Sequence, residues 1–252
     1  MKRILMPFTL TLVLICSANA NAATLTAAVA ANVQFAFQDL RAEFKNETGV
    51  DVQTIIGSSG KLTAQVKAGA PYDVFLSANM AYPHALYEAG LATSKPKIYA
   101  YGTLVLWSLS GLDVSKGLKV LTDPHVKQVA IANPKLAPYG LEAMRALAFY
   151  HLTKAVKPKL VFGESISQVN QYIHSQAADA GITAKSVVLS PKMKGQGQWV
   201  EVPSKSYSPI AQGVVILKHG NETHATIARE FLEFLASKPA RAILKRYGYG
   251  LP

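Results

Sequence analysis

Only one cysteine, Cys16, stands in the 252 residues, so the chain forms no internal disulfide and must be held by its core. Beyond that residue no apolar run approaches the roughly 20 residues of a membrane-spanning helix. Acidic residues are few, with Asp+Glu 15 against Lys+Arg 26, yet the bases are scattered and never run longer than two together. A nucleic-acid surface would gather them into a stripe with aromatic residues between. The excess reads instead as a solvated surface that mildly favours the approach of anions. His84, His125, His151, His174, His219 and His224 share no metal-ligand spacing and read as surface residues. No internal repeat or low-complexity segment is visible.

What the chain does have begins with Met1-Lys2-Arg3, an apolar stretch over residues 4–16, and small residues at alternate places up to Ala23. This is the pattern of a secretory signal peptide over residues 1–22, cut after Ala22 or after Ala20. Cys16 opens a lipoprotein alternative, against which stands the bulky Ile15 before it. The mature chain is thereby expected to be soluble and exported, and long enough to bury a core of its own.

Residues 24–30 predict a short strand. Val33, Phe37, Leu40 and Phe44 then mark one face of a helix stopped by Gly49, with Asn32 at its N-cap. Asparagine is a good cap, and its amide can equally face a ligand. A second strand, over 50–56, runs into Gly57-Ser58-Ser59-Gly60, and a short helix over 61–68 follows. The glycines allow a sharp turn and close approach, while the serines can cap the helix and present hydroxyls beside free N–H groups. Gly-Ser-Ser-Gly therefore reads either as a plain turn or as an anion site without fixed charge.

The near-continuous apolar run over 72–78 predicts a buried parallel strand, with a helix over 82–89 to follow. Asp73, inside that run, reads as a structural hydrogen-bond partner. This βαβαβα order implies a parallel sheet with ligands beyond the carboxyl ends of its strands. Residues 98–107 predict one extended strand into a second lobe. There the strand over 129–132 leads to Asn133-Pro134-Lys135-Leu136-Ala137-Pro138-Tyr139-Gly140 and a helix, and the unit repeats at 160–162 with Ser165 capping a helix over 166–177. A strand over 210–217 is expected to return to the first lobe. A helix from about Glu222 and, beyond Pro239, a separate helix over 241–247 close the chain.

On these pieces the mature chain resembles the periplasmic molybdate-binding proteins of ABC transporters. The resemblance rests on Ala30-Ala31-Asn32, Gly57-Ser58-Ser59-Gly60, the segment from Ala70 through Asp73 to Ala78, Asn133-Pro134 with Ala137-Pro138-Tyr139-Gly140, and Gly248-Tyr249. It implies an α/β fold of two lobes, the class II periplasmic binding architecture with mostly parallel sheets, closing on an oxyanion. The expected division is 23–102 and 205–252 in one lobe and 103–204 in the other. The resemblance further implies molybdate or tungstate as ligand, sulfate being the alternative oxyanion. Molybdenum would be held only as its oxyanion, by Ala31, Asn32, Ser58, Ser59, Tyr139 and the N–H of Ile166. Ala31 lacks the hydroxyl that relatives often place there. Tyr139 is expected to reach the anion through its hydroxyl, since Ala184 stands where other members keep a tyrosine. No resident cofactor is implied. The expected partner is an ABC permease, and the protein is expected to be a periplasmic monomer.

An enzyme is the rival reading, because Ser58-Ser59-Gly60-Lys61 satisfies the S-x-x-K pattern of penicillin-recognising acyl enzymes. No S-D-N element accompanies it, and the serine follows a strand in a βαβ unit. The chain is thus read as a binding protein.

Overall fold

The computed structural model describes residues 24–252; the expected signal peptide over 1–22 and its cleavage sites lie outside the described residues. The strands are β1 (Thr24–Ala30), β2 (Asp51–Gly57), β3 (Val74–Ser77), β4 (Lys97–Gly102), β5 (Leu104–Ser108), β6 (Val129–Ala132), β7 (Leu160–Gly163), β8 (Ala180–Ala184), β9 (Gln198–Glu201) and β10 (Ile210–Ile216). They form two five-stranded sheets, ordered β2-β1-β3-β10-β4 and β7-β6-β8-β5-β9.

Each sheet is mixed. β1 pairs in parallel with β2 and β3, and β6 with β7 and β8, whereas β10 and β5 run antiparallel to both of their neighbours. In each sheet four strands run one way, as expected, and the remaining one, β10 or β5, runs against them. Strand direction depends on where the chain comes back, which an apolar run does not encode. The run over 98–107 divides. Its first part ends at Gly102 as β4 in one sheet, and after Thr103 its second part is β5 in the other.

The helices flanking the first sheet are α1 (Gln34–Thr48), α2 (Ser59–Lys67) and α3 (Ala81–Glu88). In the second lobe lie α4 (Pro138–Phe149), the single turn α5 (Thr153–Val156), α6 (Ile166–His174) and the single turn α7 (Lys185–Val188). The chain ends with α8 (Lys218–Thr223), α9 (Ala225–Phe234) and α10 (Lys238–Arg246) back on the first. Their ends follow local chemistry. Gly49 closes α1 in the left-handed region at φ 76°. Ser58 caps α2 by accepting from the Lys61 N–H. Ser237 caps α10, whose first turn holds Pro239, a position where the missing N–H costs nothing.

Among the described residues packing makes three apolar clusters, one on each face of the first sheet and one in the second lobe. Around the first sheet, Phe44 meets Phe231 edge to face with ring centroids 5.1 Å apart, joining α1 to α9. The core of the second lobe gathers Trp107, Ile131, Leu147 and Ile182, and into it pack Ala30, Ala31 and Ala78 from the loops of the first lobe. The two lobes are therefore in contact along the cleft.

Candidate oxyanion site

β1 lies between β2 and β3 with Ala30 beside Gly57 and Val29 beside Leu76. The loops that leave these three strands consequently stand side by side at one sheet edge. After β1 the chain makes a 3₁₀ turn over Ala31–Val33 before α1 begins. After β2, Ser58 turns into α2. There the Ser59 hydroxyl accepts from the Ala78 N–H at 2.9 Å, tying the second loop to the third. Its own proton stays free to donate.

The second lobe repeats this construction. Ala132 of β6 lies beside Gly163 of β7, and the Asn133 N–H donates to the Gly163 carbonyl at 2.7 Å, so α4 and α6 start next to each other. Pro138 opens α4 and has no N–H, which makes Tyr139 the first donor of that helix. Ser165 precedes α6 without a side-chain capping bond, so the expected serine cap is absent and the first N–H groups of α6 are left open.

Closure brings the two edges together. The cavity between them, about 10 Å³, is lined by Ala30, Ala31, Asn32, Ser58, Ser59, Ala78, Ala137, Pro138, Tyr139 and Ile166. All six residues expected from the sequence meet there. Ala30, Ala78, Ala137 and Pro138 are additional, and as small apolar residues carry no individual signal. The space is below the roughly 300 Å³ at which pockets for organic ligands begin. No carboxylate, ammonium, guanidinium or imidazole is among the lining groups.

The cleft is held shut at its mouth. Gly60 N–H donates to the Leu136 carbonyl of the opposite lobe at 2.9 Å. A Cβ on Gly60 would stand 2.9 Å from that same oxygen, so only glycine permits this approach. Lys61 Nζ meets Glu164 across the mouth at 2.6 Å, and Ser167 donates to Gln34 Oε1 at 2.8 Å. With its ammonium on Glu164, Lys61 is committed to a cross-cleft pair and touches Ser58 through its backbone N–H. The S-x-x-K spacing is here a helix cap.

Asn32 departs from its expected cap role, and Tyr139 has a partner that the sequence did not show. Asn32 does not cap α1: it lies within the 3₁₀ turn, and its Nδ2 donates to Gln212 Oε1 at 2.7 Å and to the Tyr249 hydroxyl at 3.2 Å. Its Oδ1 is buried without a partner. Turning the amide over would put NH₂ there, and the Gln212 amide can turn with it and keep their contact. The Tyr139 hydroxyl is engaged by Gln212 Nε2 at 3.0 Å, on the side of the ring where a Cβ at Gly102 would collide with it. Gln212 and Tyr99 carry no site assignment from the sequence, and Tyr249 stands there only in the Gly248-Tyr249 piece of the resemblance. A lone amide in the apolar strand β10, followed by Gly213, was the available signal.

Burial holds the Tyr139 phenol far above its ordinary pKa, with Tyr249 adding to the shift, and burial likewise raises Tyr99 and Tyr249. The hydroxyls therefore stay protonated. Affinity at this cavity is expected to be flat between about pH 6 and 9, which titrations across that range would check. A sigmoidal change would reveal a titrating group in contact with the ligand.

Two α/β lobes, each presenting helix starts to one small cleft between them, define the architecture of a solute-binding protein. The profile of the bacterial extracellular solute-binding protein family matches residues 25–250. The molybdate-binding protein ModA of Azotobacter vinelandii is 39% identical over 231 residues, covering 91% of this chain and 90% of the relative. ModA of Rhodobacter capsulatus is 39% identical over 225 residues, 88% of this chain and 86% of the relative. The solved structure of the Azotobacter vinelandii periplasmic molybdate-binding protein superposes with a TM-score of 0.84 at 33% identity, covering 90% of this chain and 99% of that one. The chain belongs to the bacterial extracellular solute-binding proteins, in the branch of the ModA proteins. Its relatives are transport proteins that bind a substrate and are not enzymes.

Proposed function

We propose that this protein captures molybdate or tungstate in the periplasm and delivers it to the permease of an ABC transporter. The observation that carries this reading is the cleft itself: a compact cavity at four converging chain turns, furnished with neutral donors and no charged side chain. A dianion there is stabilised by short charge-assisted hydrogen bonds and by the positive ends of helices, without a contacting cation. The donors assigned to it are the hydroxyls of Ser58 and Ser59 and the backbone N–H groups of Ala31, Asn32, Tyr139 and Ile166. For Tyr139 the N–H joins the hydroxyl of the sequence-based expectation, which accepts from Gln212 Nε2 and keeps its own proton to donate. No carboxylate is present to accept the proton of a hydrogen phosphate, which favours fully deprotonated oxyanions.

The remaining parts of the reading follow the relatives and the sequence. Residues 1–22 direct export and are removed, and the monomeric mature chain works in the periplasm. Residues 23–102 with 205–252 move as one lobe and 103–204 as the other. Thermal unfolding with added oxyanions tests the assignment. At a hundredfold its Kd, molybdate or tungstate adds about 2.7 kcal/mol to the unfolding free energy. For a domain of this size that is a rise of about 5–10 °C in Tm. Sulfate or phosphate raising Tm where both metal oxyanions leave it unmoved would overturn the proposal.

A further inference from the structure

Gln212 sits on β10 of the first lobe and is fully buried. Its place is irregular: the β10–β4 ladder shifts register between Gln212 and Gly213. Such a shift re-aims a side chain that a regular pleat would direct elsewhere. From there the amide makes three contacts. Oε1 accepts from Asn32 Nδ2 at 2.7 Å and from the Tyr99 hydroxyl at 3.1 Å, and Nε2 donates to the Tyr139 hydroxyl at 3.0 Å. Asn32 belongs to the ligand turn of the first lobe and Tyr139 to the ligand helix start of the second. One side chain thus joins the two halves of the cavity from behind.

The fold makes room for this junction at the crossing between lobes. A Cβ on Gly102 would fall 2.0 Å from the Tyr139 hydroxyl and 2.6 Å from Gln212 Nε2, so any other residue there would drive the pair apart. Ser186 of α7 adds a second tie by donating to the Asn32 carbonyl at 2.7 Å. The groups are neutral, so opening the cleft wets them at modest cost, and closing it pays only when both loops are in register. The junction survives turning both amides over, because hydroxyl and amide each donate and accept.

We infer that Gln212 is a positioning residue that couples cleft closure to alignment of the ligand loops, acting through Asn32 and Tyr139 without touching the anion. The inference rests on the oxyanion reading of the cavity. It predicts that losing Gln212 shortens the life of the closed complex and hardly alters capture. Stopped-flow measurement of molybdate release and uptake would be made on the native chain, Gln212→Met, Tyr139→Phe, the double variant and Gly102→Ala. Gln212→Met is expected to speed release about tenfold with uptake within about twofold, a hydrogen-bond effect expressed in the off-rate. Tyr139→Phe should act in the same direction, and the double variant should fall clearly short of the product of the two. Gly102→Ala should also speed release, although it removes no hydrogen-bonding group.

Unchanged release in Gln212→Met, or fully multiplicative effects in the double variant, would overturn the inference, since a purely structural role predicts lower stability alone. If the native chain binds neither molybdate nor tungstate, the reading of the cavity falls instead. The clasp is then decided without ligand by spin labels at Lys67→Cys and Lys154→Cys, both exposed and one in each lobe, in the mature chain, which has no cysteine of its own. A longer interlobe distance in Gln212→Met supports it, and an unchanged distribution refutes it.

Discussion

Ser59→Ala is expected to weaken molybdate binding by about 1.5–3 kcal/mol, the worth of a hydrogen bond to a charged group, or roughly ten- to a hundredfold in Kd. The residue is 1% exposed, at the first position of α2, so under the proposed function its hydroxyl would donate from a desolvated place. It also has a second duty. Its oxygen accepts from the Ala78 N–H at 2.9 Å, and alanine leaves that buried donor unpaired, a cost of about 1–3 kcal/mol to the fold. Two measurements separate the roles: calorimetric titration reads the lost affinity, and unfolding of the ligand-free protein reads the lost tie between loops. Normal affinity in a destabilised variant would make Ser59 a loop fastener only.

The second large effect is expected at Asp73→Ala, in stability. The carboxylate is buried just before β3, its side chain 1% exposed, and both oxygens are used. Oδ2 accepts from the Thr26 N–H of β1 at 2.6 Å. Oδ1 faces the Nδ1 atoms of His219 at 2.9 Å and His224 at 3.1 Å. It thereby fastens the sheet to α8 and to the start of α9. Alanine would orphan a buried N–H and both imidazole contacts, and a loss of about 3–5 kcal/mol is expected, visible as a lower urea midpoint at unchanged m-value. Asp73→Asn, which keeps one acceptor for Thr26, should lose less. A midpoint equal to that of the native chain would show that the carboxylate is no strut.

Asp73 also shows where sequence reasoning stopped. Its setting in an apolar run announced a structural hydrogen bond, but its partners lie 47 to 151 residues away. His219 and His224, read as surface residues, are half-buried against it. Asn32 was legible as a polar group at the end of β1, and its best-known local role, the cap, was the natural expectation. The amide instead spans 180 residues to Gln212 and 217 to Tyr249. A tertiary partner of good geometry displaced the local one.

What the sequence determined by itself was the set of local units and the line along which they meet. Strand, small polar loop and helix recur because apolar period, capping serine, stopping glycine and helix-starting proline act within a few residues of each other. Ser58 at α2, Gly49 after α1 and Pro138 in α4 all behave as such signals require. Parallel strands then bring the polar loops to one edge, which is why six expected residues share a cavity. Only the tertiary structure decided the division of one apolar run into β4 and β5 at Thr103, the direction of β5 and β10, and the engagement of Tyr139 through Gln212. Those features depend on groups brought together by chain return, and the free energy that selects them comes from packing and buried hydrogen bonds between distant segments, which no short window of sequence contains.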